Sequence, residues 1–147
     1  MDFKIISASD PLWNAVMEYA RSCSWRAGKF LADMMEAGRF SDWERVLVAV
    51  DNGTIAGYCT VQKEDCIPGL PYTPFIASLF VGEAYRGKRL SQELINAAMD
   101  YLGTVGFSET YLFSDHENFY EKYGFQVIDQ QRAPWGEMQK VYCKNIG

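Results

Sequence analysis

The sequence predicts a mixed α/β fold of the α+β kind, with a central mixed sheet flanked by about four helices. Three observations predict it. Apolar residues recur at helical spacing in separate stretches, β-rich runs bounded by turn residues lie between them, and a strand–helix–strand unit follows antiparallel strands. The chain has 147 residues, of which 48% are hydrophobic. That length fits one domain over residues 1–147. A chain of this size buries roughly 70% of its unfolded surface, enough for a core of its own.

Residues 3–7 read as a first strand, and Asp10-Pro11 then starts a helix, with Asp10 as N-cap and Pro11 at the first helical position. Leu12, Val16, Met17 and Ala20 form its apolar stripe. A second helix spans Trp25 to Ala37 and is ended by Gly38. Residues 45–50 and 55–62 are strands joined through Asn52-Gly53, the preferred pair for a two-residue type I′ hairpin turn. Pro68, Gly69, Pro71 and Pro74 make 63–74 a loop. The run 75–82 is apolar on both alternating faces, as in a central strand covered on both sides.

A helix from Lys88 to Leu102 follows, with Leu90, Leu94, Ala97, Ala98 and Tyr101 on one face. Residues 109–113 form the next strand. Ser114-Asp115-His116-Glu117 fits a capping box, opening a short helix that stops at Gly124. Two strands, 125–130 and 137–143, close the chain around a turn at Pro134-Trp135-Gly136.

Composition excludes several function classes. The formal net charge of −5 argues against nucleic-acid binding, which needs an excess of Lys and Arg. No run of about 18 apolar residues exists to span a membrane, and the charged opening MDFKIISASD is unlike a signal peptide. A cytoplasmic location is therefore expected, with the four cysteines as reduced packing residues. One histidine cannot supply zinc or iron sites that need two or three, so no metal is expected. No C-x-x-C pair is present, which leaves a cysteine-based redox or hydrolytic enzyme without a framework.

The stretch 79–94, LFVGEAYRGKRLSQEL, carries the chemistry. Arg86, Lys88 and Arg89 crowd a helix start, where the partial positive charge of the helix end makes cations unfavourable. An anionic ligand accounts for them, since free N–H groups at a helix start bind phosphate and flanking cations add charge. Gly87 lets a backbone approach closely, and Ser91 adds a donor. A solvated basic turn is the alternative. The phosphate pattern GxxxxGK[ST] is not met, and GxGxxG is absent. In the second stretch, 114–125 (SDHENFYEKYGF), Phe119, Tyr120, Tyr123 and Phe125 read either as core or as a wall presenting a tyrosine hydroxyl that can donate a proton.

Together, LFVGEAYRGKRLSQELI at 79–95 and FYEKYGF at 119–125 resemble the GNAT superfamily of acetyl-CoA-dependent N-acetyltransferases. The resemblance implies that fold along nearly the whole chain. It implies acetyl-CoA as co-substrate, with backbone groups of Leu79, Phe80 and Val81 pairing with the pantetheine arm. The loop Arg86, Gly87, Lys88, Arg89, Leu90 and Ser91 would hold the pyrophosphate, and Tyr120 would protonate the departing thiolate. The amine attacks directly in a ternary complex, without an acyl-enzyme.

Two departures stand out. The family pattern [QR]-x-x-G-x-[GA], aligned on Gly87, has Ala84 at its first position and Arg89 at its last. The Asn common seven positions before the tyrosine is Phe113 here, and Ser114 or Asn118 would supply that contact instead. His116 is a candidate base, oriented by Asp115, or else a surface residue. Glu83 and Asp65 are other carboxylates expected near the acceptor groove. The acceptor side would comprise Trp25, Arg26, Phe30, Trp43, Asp65 and Tyr72, suited to a cationic amine by cation–π contact and ion pairing, unless Trp25 and Trp43 are core.

The partner is thus expected to be a primary amine of a small molecule or peptide, with neither nucleic acid nor membrane bound. Relatives are often homodimers. A non-catalytic coenzyme A-binding or protein-interaction module on the same fold is the alternative that the departures motivate.

Overall fold

A computed structural model describes residues 1–116 and 118–146. Seven strands and three α-helices form one continuous sheet with helices packed on it. In chain order they are β1 (Asp2–Ile6), α1 (Trp13–Ser22), α2 (Ala27–Glu36), β2 (Arg45–Asp51), β3 (Thr54–Gln62), β4 (Phe75–Val81), α3 (Leu90–Val105), β5 (Glu109–Ser114), β6 (Gln126–Arg132) and β7 (Met138–Asn145). The strand order is β1-β2-β3-β4-β5-β7-β6. Only β4 and β5 pair in parallel, joined through the crossover helix α3, so the mixed sheet has the predicted plan.

The helix count is the main correction. Three α-helices are present, and the fourth expected one is a 3-10 turn, Tyr120–Tyr123. Ser114 does not cap a helix three residues on. Its Oγ accepts the His116 N–H at 3.0 Å, closing a local turn. Glu117, the acid of the expected capping box, lies outside the described residues.

Other boundaries move for local reasons. Asp10 accepts the Leu12 N–H at 2.9 Å, and its carbonyl accepts the Trp13 N–H at 3.0 Å. It closes a turn ahead of the helix, so α1 starts at Trp13 rather than at Pro11. α2 starts at Ala27, because Ser24 and Trp25 belong to the irregular junction between α1 and α2. α3 runs from Leu90 to Val105 rather than from Lys88 to Leu102.

The hairpin at Asn52-Gly53 has φ of 48° and 85°, the pair of positive values that a type I′ turn needs. Its strands are almost wholly buried, since helices cover both sides. α3 packs Leu94, Ile95, Ala98 and Leu102 against Leu47, Cys59, Val61 and Leu112 on one face. α1 and α2 pack Val16, Ala20, Leu31 and Met35 against Val46, Val48, Tyr58 and Phe80 on the other. Full burial of each such aliphatic side chain stabilises by about 1.5–3 kcal/mol relative to exposure. Among the described residues, no helix is long and apolar enough to cross a membrane.

Candidate functional site

The site begins where two parallel strands fail to stay together. β4 and β5 share one register pair, Phe75 with Tyr111, anchored by the Tyr111 N–H on the Pro74 carbonyl at 2.9 Å. Beyond it the strands diverge. On the β3 side, Tyr58 faces Phe80 and Thr60 faces Ala77, so Ser78 and Leu79 together oppose Cys59. This is a β-bulge, which bends the strand that carries it. Ser78 takes φ of 52°, a left-handed conformation costing about 1–2 kcal/mol for a non-glycine residue. The bend leaves the β5-facing backbone of Leu79, Phe80 and Val81 without a ladder partner on β5.

A cleft of about 520 Å³ occupies the gap. Leu79, Phe80 and Val81 form one wall, His116, Phe119 and Tyr120 the opposite one, and Arg86, Gly87, Arg89, Leu90 and Ser91 the end at the start of α3. The structure therefore brings most of the expected residues to one cleft. Lys88, Ser114 and Asn118 lie outside this lining. Lys88 is exposed on the same turn, Ser114 is buried on its His116 bond, and Asn118 is exposed with φ of 59°.

The basic turn is exposed over residues 86–89. Gly87 has φ of 80° and Arg89 φ of 62°, so two left-handed residues carry the chain into α3. No side chain caps that helix, so its first-turn N–H groups join Arg86, Lys88 and Arg89 in making a positive end. Arg86 is already partly engaged: its Nε donates to the Val81 carbonyl at 3.0 Å, and its guanidinium lies 5.6 Å from the Phe80 ring centre.

On the opposite wall, Tyr120 is buried, edge-on to Phe119 at 4.8 Å and to Phe125 at 6.0 Å. Burial, then the neighbouring Tyr142, Tyr123 and Cys59, pushes its hydroxyl pKa up to about 12. His116 is exposed, with its ring 6.0 Å from that of Phe119. Its carbonyl accepts the Tyr142 hydroxyl at 3.0 Å, and among the described residues no hydrogen bond joins it to Asp115.

The expected acceptor residues separate. Trp25 stacks on Phe80 at 6.0 Å and lines the cleft. Trp43 is distant from it, edge-on to Phe107 at 4.9 Å, with its carbonyl accepting the Tyr101 hydroxyl at 2.7 Å. Tyr72 lies over Tyr111 and donates to Asp129 at 2.8 Å. Arg26 and Phe30 are exposed on the α2 side, and Glu83 is exposed on the turn after β4. Asp65 is half-buried in the loop after β3; burial raises its carboxyl to about 6, against the lowering effect of the Cys66 N–H.

Two lining residues, Ser24 and Tyr85, carried no sequence signal. The bulge had one: Ser78 is a lone polar residue inside an apolar strand.

A family profile described as "Acetyltransferase (GNAT) family" matches residues 13–125. The chain belongs to that family. N-alpha-acetyltransferase 30 of Schizosaccharomyces pombe is 31% identical over 83 residues, 53% of this chain and 55% of the relative. The match thus spans about half the length of that curated relative. Among solved structures, aminoglycoside 6'-acetyltransferase type Ii superposes with a TM-score of 0.76 at 19% identity, over 100% of this chain and 98% of that one. The GNAT family N-acetyltransferase YhbS from Escherichia coli, solved in complex with CoA, gives 0.71 at 25% identity, over 99% and 81%. The cleft thus lies in a fold shared with proteins solved with coenzyme A bound.

Proposed function

We propose that the protein transfers an acetyl group from acetyl-CoA to a primary amine of a small molecule or peptide. The observation that carries this reading is the divergence of β4 from β5, which opens strand backbone that has no partner on β5 toward the cationic start of α3. A pantetheine arm is an extended chain of amides, so it can hydrogen-bond to a strand edge as a further strand does. A diphosphate suits the free N–H groups and cations at the helix start. The residues present fit the cofactor at both ends.

Leu79, Phe80 and Val81 hold the arm in this reading. Arg86, Gly87, Arg89, Leu90 and Ser91 receive the diphosphate, and Lys88 adds charge from outside. The amine nitrogen attacks the thioester carbonyl, a C–N bond forms and the C–S bond breaks. The nitrogen sheds a proton and the sulfur gains one. Tyr120, held protonated by burial, gives its proton to the departing sulfur and regains one from solvent. His116, exposed on the same wall, is the candidate to take the proton from nitrogen. The names of the relatives divide between N-alpha-acetylation and aminoglycoside 6'-acetylation, so α-amines and aminoglycosides both belong in the test.

One observation favours a coenzyme A-binding module without turnover: the family's small residue is replaced by Arg89 in a left-handed conformation. Thermal melting with acetyl-CoA, followed by thiol release across an amine panel, separates the readings. At a hundredfold excess over Kd, a ligand adds about 2.7 kcal/mol, raising Tm by roughly 5–10 °C at this size. Thiol release with at least one amine is expected. A shift without release favours the module, and no shift at millimolar acetyl-CoA contradicts both.

A further inference from the structure

We infer that Asp51, at the far end of β2, is a positioning residue for diphosphate binding and acts through Tyr85. This rests on the reading of the cleft as a coenzyme A site. The turn between β4 and α3 includes a short 3-10 segment, Glu83–Tyr85. Three ties hold it. The Gly82 N–H donates to the Ala56 carbonyl at 2.8 Å, extending the β3–β4 ladder by one residue. Arg86 reaches back to the Val81 carbonyl at 3.0 Å. The Tyr85 hydroxyl donates to Asp51 Oδ2 at 3.1 Å, across to the β2–β3 hairpin.

The first two ties lie at the strand end itself. The third joins the turn to the β2–β3 hairpin, 34 positions away in the sequence, through a side chain that also lines the cleft. Gly82 shows how closely the turn is seated, because a Cβ there would lie 2.8 Å from the Tyr19 hydroxyl and 3.2 Å from the Ala56 carbonyl oxygen. Gly87 lies two residues after Tyr85, so the tie to Asp51 restrains the backbone that leads into the phosphate-facing amides. A loop held in its bound form avoids the ordering cost that a loose loop pays on binding. Tyr85 is half-buried, which strengthens a hydrogen bond to a carboxylate relative to one in water.

The test uses two probes, coenzyme A and pantetheine, the latter lacking the diphosphate. Affinities are measured by calorimetry and by saturation-transfer NMR respectively. Tyr85→Phe removes only the hydroxyl, and Asp51→Ala removes the acceptor. Each should weaken coenzyme A by about fivefold, the effect of one hydrogen bond, while pantetheine affinity stays within about twofold of wild type. Asp51→Asn retains an acceptor and should restore coenzyme A affinity to near the wild-type value. Unchanged coenzyme A affinity in Tyr85→Phe, or equal losses for both probes, would overturn the inference. Wild-type protein that binds both probes equally, or neither, removes the underlying reading and this inference with it.

Discussion

A phenol surrounded by other rings resists ionisation, because its anion would lose water without gaining a cation. Tyr120 is such a phenol, with Phe119, Phe125 and Tyr142 around it and a pKa of about 12. Its folded value is raised, so it keeps its proton throughout the range in which an amine acceptor becomes neutral. Tyr120→Phe should therefore lower kcat by roughly 100–1,000-fold, the lower part of the range for positioned proton donors, with Kd for acetyl-CoA within about threefold. The wild-type kcat profile should show no alkaline fall from this group up to about pH 10. Steady-state kinetics over pH 6–10, for both proteins, checks this. A Tyr120→Phe enzyme with unaltered kcat would remove the tyrosine from the mechanism. The tyrosine was legible in the sequence through FYEKYGF, whereas its burial was not, since aromatic spacing fits a core as well as a wall. Asp51 and Tyr85 were illegible for a plainer reason: their contact spans 34 positions and no periodicity links them.

At the scale of elements, the start of α3 combines two costs that an anion can offset. Cations sit at the positive end of a helix, and Arg89 adopts φ of 62° where glycine would be unstrained. Arg89→Gly should relieve about 1 kcal/mol of backbone strain and raise Tm of the free protein by roughly 2–4 °C. The same change should weaken coenzyme A severalfold through the lost charge. Melting curves with and without coenzyme A read both effects, and a variant less stable than wild type would contradict the strain assignment. The misplaced charges of this segment were visible in the sequence as a pattern without a structural reason. The length of the helix was missed although its end has a local cause: Gly106, left-handed at φ of 116°, caps it with its N–H on the Leu102 and Gly103 carbonyls. The missing fourth helix follows the same logic: Ser114 had a nearer backbone partner in His116 than the capping box required.

In the whole molecule, the order of the strands creates the site. Two antiparallel blocks, β1–β4 and β5–β7–β6, meet at a parallel seam, and the seam holds at one residue pair only. The block pattern was predictable from the hairpin at Asn52-Gly53 and the strand–helix–strand unit. The divergence was legible only in part: Ser78 stands out as a lone polar residue in an apolar run, but the extra residue in β4 that breaks register with β3 there has no sequence signature. α3 packs across both blocks, whereas α1 and α2 pack on β1–β4 alone. The acceptor side is less defined by sequence, since Trp25 and Trp43, alike in composition, lie in separate places.

The most direct measurement is a crystal structure of the protein soaked or grown with coenzyme A. The density should run along Leu79, Phe80 and Val81, with the diphosphate on the amides from Gly87 to Ser91 and the sulfur within hydrogen-bond reach of the Tyr120 hydroxyl. Density with the diphosphate elsewhere, and the gap between β4 and β5 filled only by solvent, would contradict the assignment of this cleft.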